Sequence, residues 1–150
     1  MKIGVADTTF ARVDLFKEVE PLFKKAHLKV ERYTVPGIKD LPVACKILFE
    51  KHDCDIVMAL GMPGGMPIDK QCAHEASLGI QFVQILSGKH ILEVFAHLDE
   101  GKPSEVVAIA KNRVRKHALN ALALLKGKEA LSPFAGKGRR QGKDDEGALE

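Results

Sequence analysis

The fold class is decided by one stretch of the sequence, Ile56-Val57-Met58-Ala59-Leu60-Gly61-Met62-Pro63-Gly64-Gly65. Five consecutive apolar residues, followed by a loop rich in glycine and proline, are typical of a strand that is covered on both faces. A second run, Ile91-Leu92-Glu93-Val94-Phe95, has the same character apart from one acidic residue. Strands buried on both faces occur mainly in parallel sheets, so these stretches predict an α/β protein with a parallel sheet.

Strand-like and helix-like segments alternate along the chain. We predict buried strands at Lys2–Asp7, Lys29–Val35, Asp55–Leu60 and His90–His97. Because apolar residues recur at intervals of three and four, we predict helices at Ala11–His27, Leu41–His52, Asp69–Leu86 and Pro103–Lys126. Asp69 and Ser104 are the predicted N-caps of the last two helices, and Pro21 is expected to kink or split the first. This order predicts one domain over residues 1–135, with a doubly wound sheet and right-handed crossovers.

The composition excludes several classes of protein. Of 150 residues, 45% are hydrophobic and 29% are charged, which is ordinary for a globular domain and excludes a fibrous or largely disordered chain. No apolar run approaches the roughly 18 residues that cross a bilayer, so we expect no membrane partner. A net charge of +3, one tyrosine and no tryptophan give little support to nucleic-acid binding, so we expect no nucleic-acid partner.

The cysteines point to a reducing compartment. Cys45, Cys54 and Cys72 form no C-x-x-C pair, and their odd number disfavours a disulfide framework or a structural zinc site. The amino terminus lacks the apolar segment and the cleavage site of a signal peptide. We therefore expect reduced thiols and a cytoplasmic protein.

Residues 136–150 form a polar, glycine-rich tail. From Lys137 onward the tail holds four basic and four acidic residues, so it is not a polycationic arm. Disorder in the free monomer is one interpretation of this composition. Our prediction is the other one, namely that the tail packs on an adjacent protomer.

Ligands of open parallel sheets bind beyond the carboxyl ends of the strands. Here that rule selects the loops that begin at Thr8, Pro36, Gly61 and Leu98. These loops contain neither a P-loop nor a G-x-G-x-x-G fingerprint. Gly64 and Gly65 either let the backbone approach a planar ligand or form a plain turn. Phe10 is either a hydrophobic plug or a stacking surface for a flat heterocycle.

The segment Cys72-Ala73-His74-Glu75 is a candidate for acid–base chemistry. It is not an H-E-x-x-H motif, and Cys72 and His74 point in different directions on a helix, so they form no local metal pair. His74 and Glu75 are therefore candidate proton-transfer groups, and His97, at the end of the last strand, is a third candidate. Other histidines and a basic cluster look like solvated surface, namely His27, His52, His90, His117, Lys111, Arg113 and Arg115.

Four collinear blocks resemble one known family. They are Asp7–Asp14, Thr34–Ala44, Met58–Gly64 and Cys72–Gly79. Together with parts of the tail, they resemble the archaeal-type riboflavin synthases, which are related to the lumazine synthases. The resemblance covers essentially the whole chain.

This resemblance implies a fold and an activity. The fold would be a flavodoxin-like three-layer sandwich with a four-stranded parallel sheet. The chain would form a homopentamer with each active site between two subunits. It would convert two molecules of 6,7-dimethyl-8-ribityllumazine into riboflavin and 5-amino-6-ribitylaminouracil by transferring a four-carbon unit. No organic cofactor would be needed.

The resemblance also implies roles for residues of the first two loops. Phe10 would stack on a pteridine ring. From its place in the same loop, Thr9 either supplies a hydroxyl to the substrate or serves the turn itself. The backbone of Gly37 and Ile38 would contact the pyrimidine edge, and Asp40 would hold hydroxyls of the ribityl chain.

Further roles fall on the third and fourth loops. Met62, Pro63 and Gly64 would form the floor of the cleft, and His74 and Glu75 would transfer protons. The remaining candidates, His97 and Asp99, would reach the site of the neighbouring subunit.

Two other functions stay open at this point. Lumazine synthases usually carry a histidine in a Gly-Glu-Thr-x-His loop, and the matching segment here, Gly64–Ile68, has none, which argues against that activity. A flavin- or pterin-binding protein without catalysis is the other alternative. A divalent cation such as Mg²⁺ also stays open, because Asp40, Glu75, Asp99 and Glu100 are either ligands or merely solvated carboxylates.

Overall fold

Four strands form one parallel sheet in the computed structural model, which describes residues 1–150. The strands are β1 (Lys2–Thr8), β2 (Lys29–Val35), β3 (Ile56–Gly61) and β4 (Ile91–Phe95). Their order in the sheet is β2-β1-β3-β4, and every neighbouring pair is parallel. The predicted α/β sandwich with a four-stranded parallel sheet is therefore confirmed.

Helices cover both faces of the sheet. They are α1 (Phe16–Lys25), α2 (Leu41–Glu50), α3 (Pro67–Ser87) and α4 (Pro103–Leu125), with short 3₁₀ turns at Ile38–Asp40 and Ser132–Phe134. The cores show that α1 and α4 pack on one face, and that α2 and α3 pack on the other. None of these helices is both long enough and apolar enough to span a membrane.

Strand β3 is buried along its whole length. Successive side chains of a strand point to opposite faces, so Met58 and Leu60 join the core under α1 and α4, whereas Val57 and Ala59 join the core under α2 and α3. Both faces need apolar residues, which explains the unbroken apolar run. By contrast, β2 is an edge strand, and most of its residues are partly or fully exposed rather than buried as we predicted.

The first helix begins later than predicted. Residues 9–15 form a loop instead of a first helical turn, and the Thr8 Oγ1 accepts a hydrogen bond from the Ala11 N–H at 3.2 Å. The loop leaves the Phe10 ring 57% exposed. Pro21 lies inside α1 without splitting it.

The predicted N-caps of α3 and α4 were wrong. Both helices begin at a proline, where the missing N–H costs nothing. Asp69 lies at the third helical position of α3, and its carboxylate accepts a hydrogen bond from the Met66 N–H at 3.0 Å. In α4, Glu105 accepts from the Lys102 N–H at 3.1 Å in the same way.

Two residues that we predicted on the surface are buried on α4. Arg113 donates to both oxygens of Glu100 at 2.7 Å and to the Phe95 carbonyl oxygen at 2.7 Å. This bidentate pair lowers the pKa of Glu100 and ties the loop after β4 to α4. His117 lies one turn further on, and its Nδ1 has no hydrogen-bond partner. Burial and the nearby Arg113 lower the pKa of His117 to about 4.

The tail folds back on α4 of its own chain. Gly142 is buried, and its backbone has a φ of +78°, which favours glycine. A Cβ at this position would lie 2.6 Å from Cγ of Arg113 and 3.0 Å from Nε2 of His117. Lys116 Nζ also donates to the Lys143 carbonyl oxygen at 2.9 Å. The tail therefore covers the buried pair on α4, and its packing on an adjacent protomer stays a prediction.

Two phenylalanines test the division between core and loop. Phe23→Ala should lower the free energy of unfolding by about 3–5 kcal/mol, because the fully buried ring leaves a cavity when it is removed. Phe10→Ala should change it by less than about 0.5 kcal/mol. Urea denaturation at one protein concentration measures both values. Equal losses for the two variants would contradict the packing described here.

His117 makes stability depend on pH. Its folded pKa lies below the ordinary value of 6.5, so the unfolded chain binds the proton more tightly. The contribution of neutral His117 to the free energy of unfolding should be fully present above about pH 6.5. It should be lost as the pH decreases toward about 4. The lowered pKa of the Glu100 carboxylate affects stability only as the pH falls below its ordinary value of 4.5.

The matching experiment compares urea midpoints from about pH 7 to about pH 5. His117→Gln should flatten this part of the profile, whereas His27→Gln, at an exposed position, should leave it unchanged. Parallel profiles for wild type and His117→Gln would refute the assignment.

Candidate active site

A cleft lies where the order of the sheet reverses. The chain leaves β1 toward α1 on one face and leaves β3 toward α3 on the other, so the two loops separate at the carboxyl edge. The cleft between them has a volume of about 320 Å³. It is lined by residues of three loops and of the start of α3, namely Phe10, Gly37, Ile38, Lys39, Asp40, Pro63, Gly64, Asp69 and Cys72.

Phe10 supplies the aromatic wall of the cleft. Its ring is largely exposed, so it is not a buried plug. The ring therefore offers a stacking surface for a planar ligand.

The floor of the cleft is a rigid loop rather than a flexible turn. The Pro63 carbonyl oxygen accepts from the Leu98 N–H at 2.9 Å, and the Gly64 carbonyl oxygen accepts from the His97 ring at 3.2 Å. A Cβ on Gly64 would collide with the Asp69 carboxylate, and one on Gly65 would collide with Asp99. A side chain at position 64 would displace the Asp69 carboxylate, one at position 65 would meet Cβ of Asp99 at 2.4 Å, and Gly64 lines the cleft.

An ion pair bridges the mouth of the cleft. Lys39 Nζ donates to Glu75 Oε2 at 2.6 Å, which links the loop after β2 to α3. This hydrogen bond raises the pKa of Lys39 and lowers the pKa of Glu75, and Gln71 lowers the latter further. Glu75 is consequently held in its ionised form, and the ion pair makes it a weaker base than a free carboxylate.

The structure brings together six of the substrate-binding and catalytic candidates from the sequence. They are Phe10, Gly37, Ile38, Asp40, Pro63 and Gly64. Met62 is buried in the core below the floor. Thr9 donates its N–H to Val35 and its hydroxyl to Pro36, and it faces a separate small cavity. His74 and Glu75 lie on α3 and are exposed, outside the lining of the cleft.

Three residues line the cleft that the sequence did not point to, namely Lys39, Asp69 and Cys72. Lys39 follows Gly37 and Ile38 in a ligand-side loop, and this position was the available signal. Asp69 was read as a helix cap, and its bond to Met66 does place it at the helix start. Lys39 and Glu75 lie 36 residues apart in the sequence, and no local pattern indicates that they form an ion pair.

A second, larger groove runs along the edge strand β4. It has a volume of about 710 Å³ and lies on the other side of Gly64 from the cleft. Charged and polar side chains dominate its lining, among them Lys70, Glu93, His97, Arg113 and His117. Burial raises the pKa of Glu93, and Ser77 Oγ donates to it at 2.5 Å. His97 therefore borders this groove rather than the cleft.

The carboxylates that could serve a divalent cation do not form a metal site within one chain. No three residues among the histidines, cysteines, aspartates and glutamates are grouped so as to hold an ion. Glu75 pairs with Lys39, Asp99 pairs with Lys70 at 2.8 Å, and Glu100 pairs with Arg113. Within one chain, Glu75, Asp99 and Glu100 are therefore engaged in ion pairs, and the divalent cation stays a prediction.

Known proteins resemble this chain over its whole length. The family model of 6,7-dimethyl-8-ribityllumazine synthase matches residues 1–129. Riboflavin synthases from Methanothermobacter thermautotrophicus and Methanothermobacter marburgensis are 51% and 50% identical to this chain, over 99% of it and 99% of each relative. A de novo designed Rossmann fold protein, 18% identical, superposes on 79% of this chain and 98% of its own with a TM-score of 0.49.

The family model and the full-length relatives agree with the resemblance found in the sequence blocks. The model covers most of the chain, and the relatives match it from end to end. The chain therefore belongs to the 6,7-dimethyl-8-ribityllumazine synthase family, and within that family it groups with the archaeal riboflavin synthases.

Proposed function

We propose that this protein is a riboflavin synthase. It transfers a four-carbon unit from one molecule of 6,7-dimethyl-8-ribityllumazine to another and releases riboflavin and 5-amino-6-ribitylaminouracil. The proposal rests on one observation: a chain half identical to riboflavin synthases over its full length has an aromatic cleft at the switch point of its sheet. The reaction needs no redox partner, because the four-carbon unit that one substrate molecule loses is the unit that the other substrate molecule gains.

The cleft suits the flat ring and polyhydroxylated chain of this substrate. Phe10 stacks on the ring, and the backbone of Gly37 and Ile38 meets the polar pyrimidine edge. Asp40 and Lys39 lie at the same cleft and hold the ribityl hydroxyls. Holding two heterocycles in register is an orientation effect, which accounts for much of the acceleration of such a bimolecular reaction.

Protons must leave a methyl carbon of one substrate and reach the amine that departs from the other. Glu75 is the acceptor in this scheme because it is a carboxylate at the mouth of the cleft, and it becomes a stronger base when Lys39 turns from it toward the substrate. His74, its neighbour on α3, is the second member of the shuttle. Both side chains are exposed in a single chain and act once a neighbouring subunit closes the site.

One cleft is too small for the whole reaction. A volume of about 320 Å³ lies at the low end for small-molecule sites and suits one ribityllumazine, whereas the reaction needs two. The second molecule is therefore held with the help of a neighbouring subunit. The β4 groove, with His97 and Asp99 beside it, is the surface that a neighbour would meet.

An apolar stripe on α3 supports assembly of several chains. Leu78, Phe82, Ile85 and Leu86 recur at intervals of four, three and one, so they share one helix face. All four are exposed, and Phe82 is 63% exposed. A contiguous apolar face of this kind normally marks an interface. We propose that it joins copies of this chain into a homopentamer, on which the tail also packs.

Lumazine synthase is the second candidate, because the matching family model carries that name. The segment Gly64–Ile68 lacks the histidine expected for that activity, which favours the riboflavin synthase. All three cysteines are free, which fits a reducing cytoplasm, the compartment that we propose for the enzyme.

Incubation with 6,7-dimethyl-8-ribityllumazine alone tests the proposed activity. Riboflavin should appear at half the rate at which the lumazine disappears, followed by absorbance and chromatography. Phe10→Ala should lower kcat/KM by about tenfold or more, because the stacking surface is lost. Activity only with 5-amino-6-ribitylaminouracil and a four-carbon ketone phosphate would make the protein a lumazine synthase instead.

The α3 stripe can be tested by sedimentation. Wild type should sediment as a pentamer, and Phe82→Asp should shift the protein to smaller species, because a charge in an apolar interface is not solvated. Leu119→Asp, an equally exposed position on α4 and on the opposite face of the sheet, is the matched control. A wild-type monomer, or a Phe82→Asp pentamer, would contradict the proposed interface.

A further inference from the structure

One guanidinium joins both ends of the loop that carries Phe10. Arg32 lies on β2, and its Nε and Nη2 donate to Asp7 Oδ2 at 3.0 and 2.6 Å, at the start of the loop. Nη2 also donates to Asp14 Oδ1 at 3.0 Å, near the end of the loop. A planar guanidinium offers several donors in a fixed geometry, so a single side chain can hold two carboxylates at once.

Asp7 is a fixed anchor for this arrangement. Its side chain is buried, and Thr34 Oγ1 donates to its second oxygen, Oδ1, at 2.6 Å. Both carboxylate oxygens are therefore occupied, as a buried charge requires. The hydrogen bond to Asp7 raises the pKa of Arg32 further above its ordinary value.

Ala11 and Val13, in the middle of the loop, are partly buried and pack against the core on one side. A cavity of about 190 Å³ lies beneath the loop, lined by Asp7, Thr8, Asp14, Arg32 and Thr34 among others. The Arg32 guanidinium also stacks on the Phe16 ring at the start of α1, 4.5 Å from the ring centre. On the side of the cavity, the contacts of Arg32 with Asp7 and Asp14 add to this packing and tie the two ends of the loop together.

We propose that Arg32 is a positioning residue that fixes the place of the Phe10 ring in the cleft. Arg32 does not line the cleft, so it acts through the loop. The inference rests on the proposed function, in which Phe10 stacks on the substrate. A ring displaced by about 1 Å would lose much of its contact with a planar ligand.

A double-mutant cycle tests this inference. The dissociation constant for 6,7-dimethyl-8-ribityllumazine is measured for wild type, Arg32→Lys, Phe10→Ala and the double variant. Arg32→Lys keeps the positive charge but loses the planar set of donors that holds two carboxylates, so lumazine binding should weaken by about three- to tenfold. In the Phe10→Ala background the same change should add almost nothing, because the residue through which it acts is gone.

A second readout is amide hydrogen exchange of residues 10–14. Exchange should accelerate in Arg32→Lys, and Asp14→Asn, which loses one anchor, should show a smaller increase. Arg115→Lys is the matched control: Arg115 also pairs with a carboxylate, Glu18, but Lys111 holds the same group. Its binding and its exchange should equal those of wild type.

Each outcome has a distinct meaning. Additive losses in the cycle, or unchanged exchange in Arg32→Lys, would overturn the role of Arg32. Faster exchange in a protein whose wild type neither binds nor converts the lumazine would leave the anchor in place and refute the proposed function. Unchanged affinity in Phe10→Ala would refute both the stacking and the action of Arg32 on binding.

Discussion

The whole arrangement depends on the burial of β3 on both faces of the sheet. An apolar strand at this place needs a helical layer on each side, so the chain must pass from one face to the other between β1 and β3. The loops after these two strands then separate at their carboxyl ends. Phe10 on one loop and Gly64 on the other face the same gap, which is why a small cleft forms without a specialised binding motif.

Local patterns in the sequence were sufficient for the elements and for most of the cleft. Continuous apolar runs located β3 and β4, and the rule for strand ends brought Phe10, Ile38 and Gly64 together. The starts of α2 and α4 were predicted correctly, whereas α1 begins at Phe16 rather than Ala11. Helix α3 begins at Pro67 rather than Asp69, because Asp69 accepts its hydrogen bond from the third helical position instead of the N-cap. The ion pair of Lys39 with Glu75 joins residues far apart in sequence, and no local pattern contains such information.

Arg113 and His117 show a different kind of failure. Both were read as solvated because they are polar, yet they follow Ala110 at intervals of three and seven, on the apolar face of α4. Our interpretation gave more weight to the polar character of these two side chains than to their spacing along the helix. The structure resolves the conflict by pairing Arg113 with Glu100 and covering both α4 residues with the tail. Buried arginine on an apolar stripe should therefore prompt a search for a carboxylate in the adjoining loop.

The most direct test of the account is a crystal structure with riboflavin, the proposed product. The flavin ring should stack on Phe10 and lie over the backbone of Gly64, in the cleft between the loops after β1 and β3. Residues of a second chain should complete the site. A ring bound elsewhere, for example only along β4 with no contact to Phe10, would contradict the assignment of the cleft.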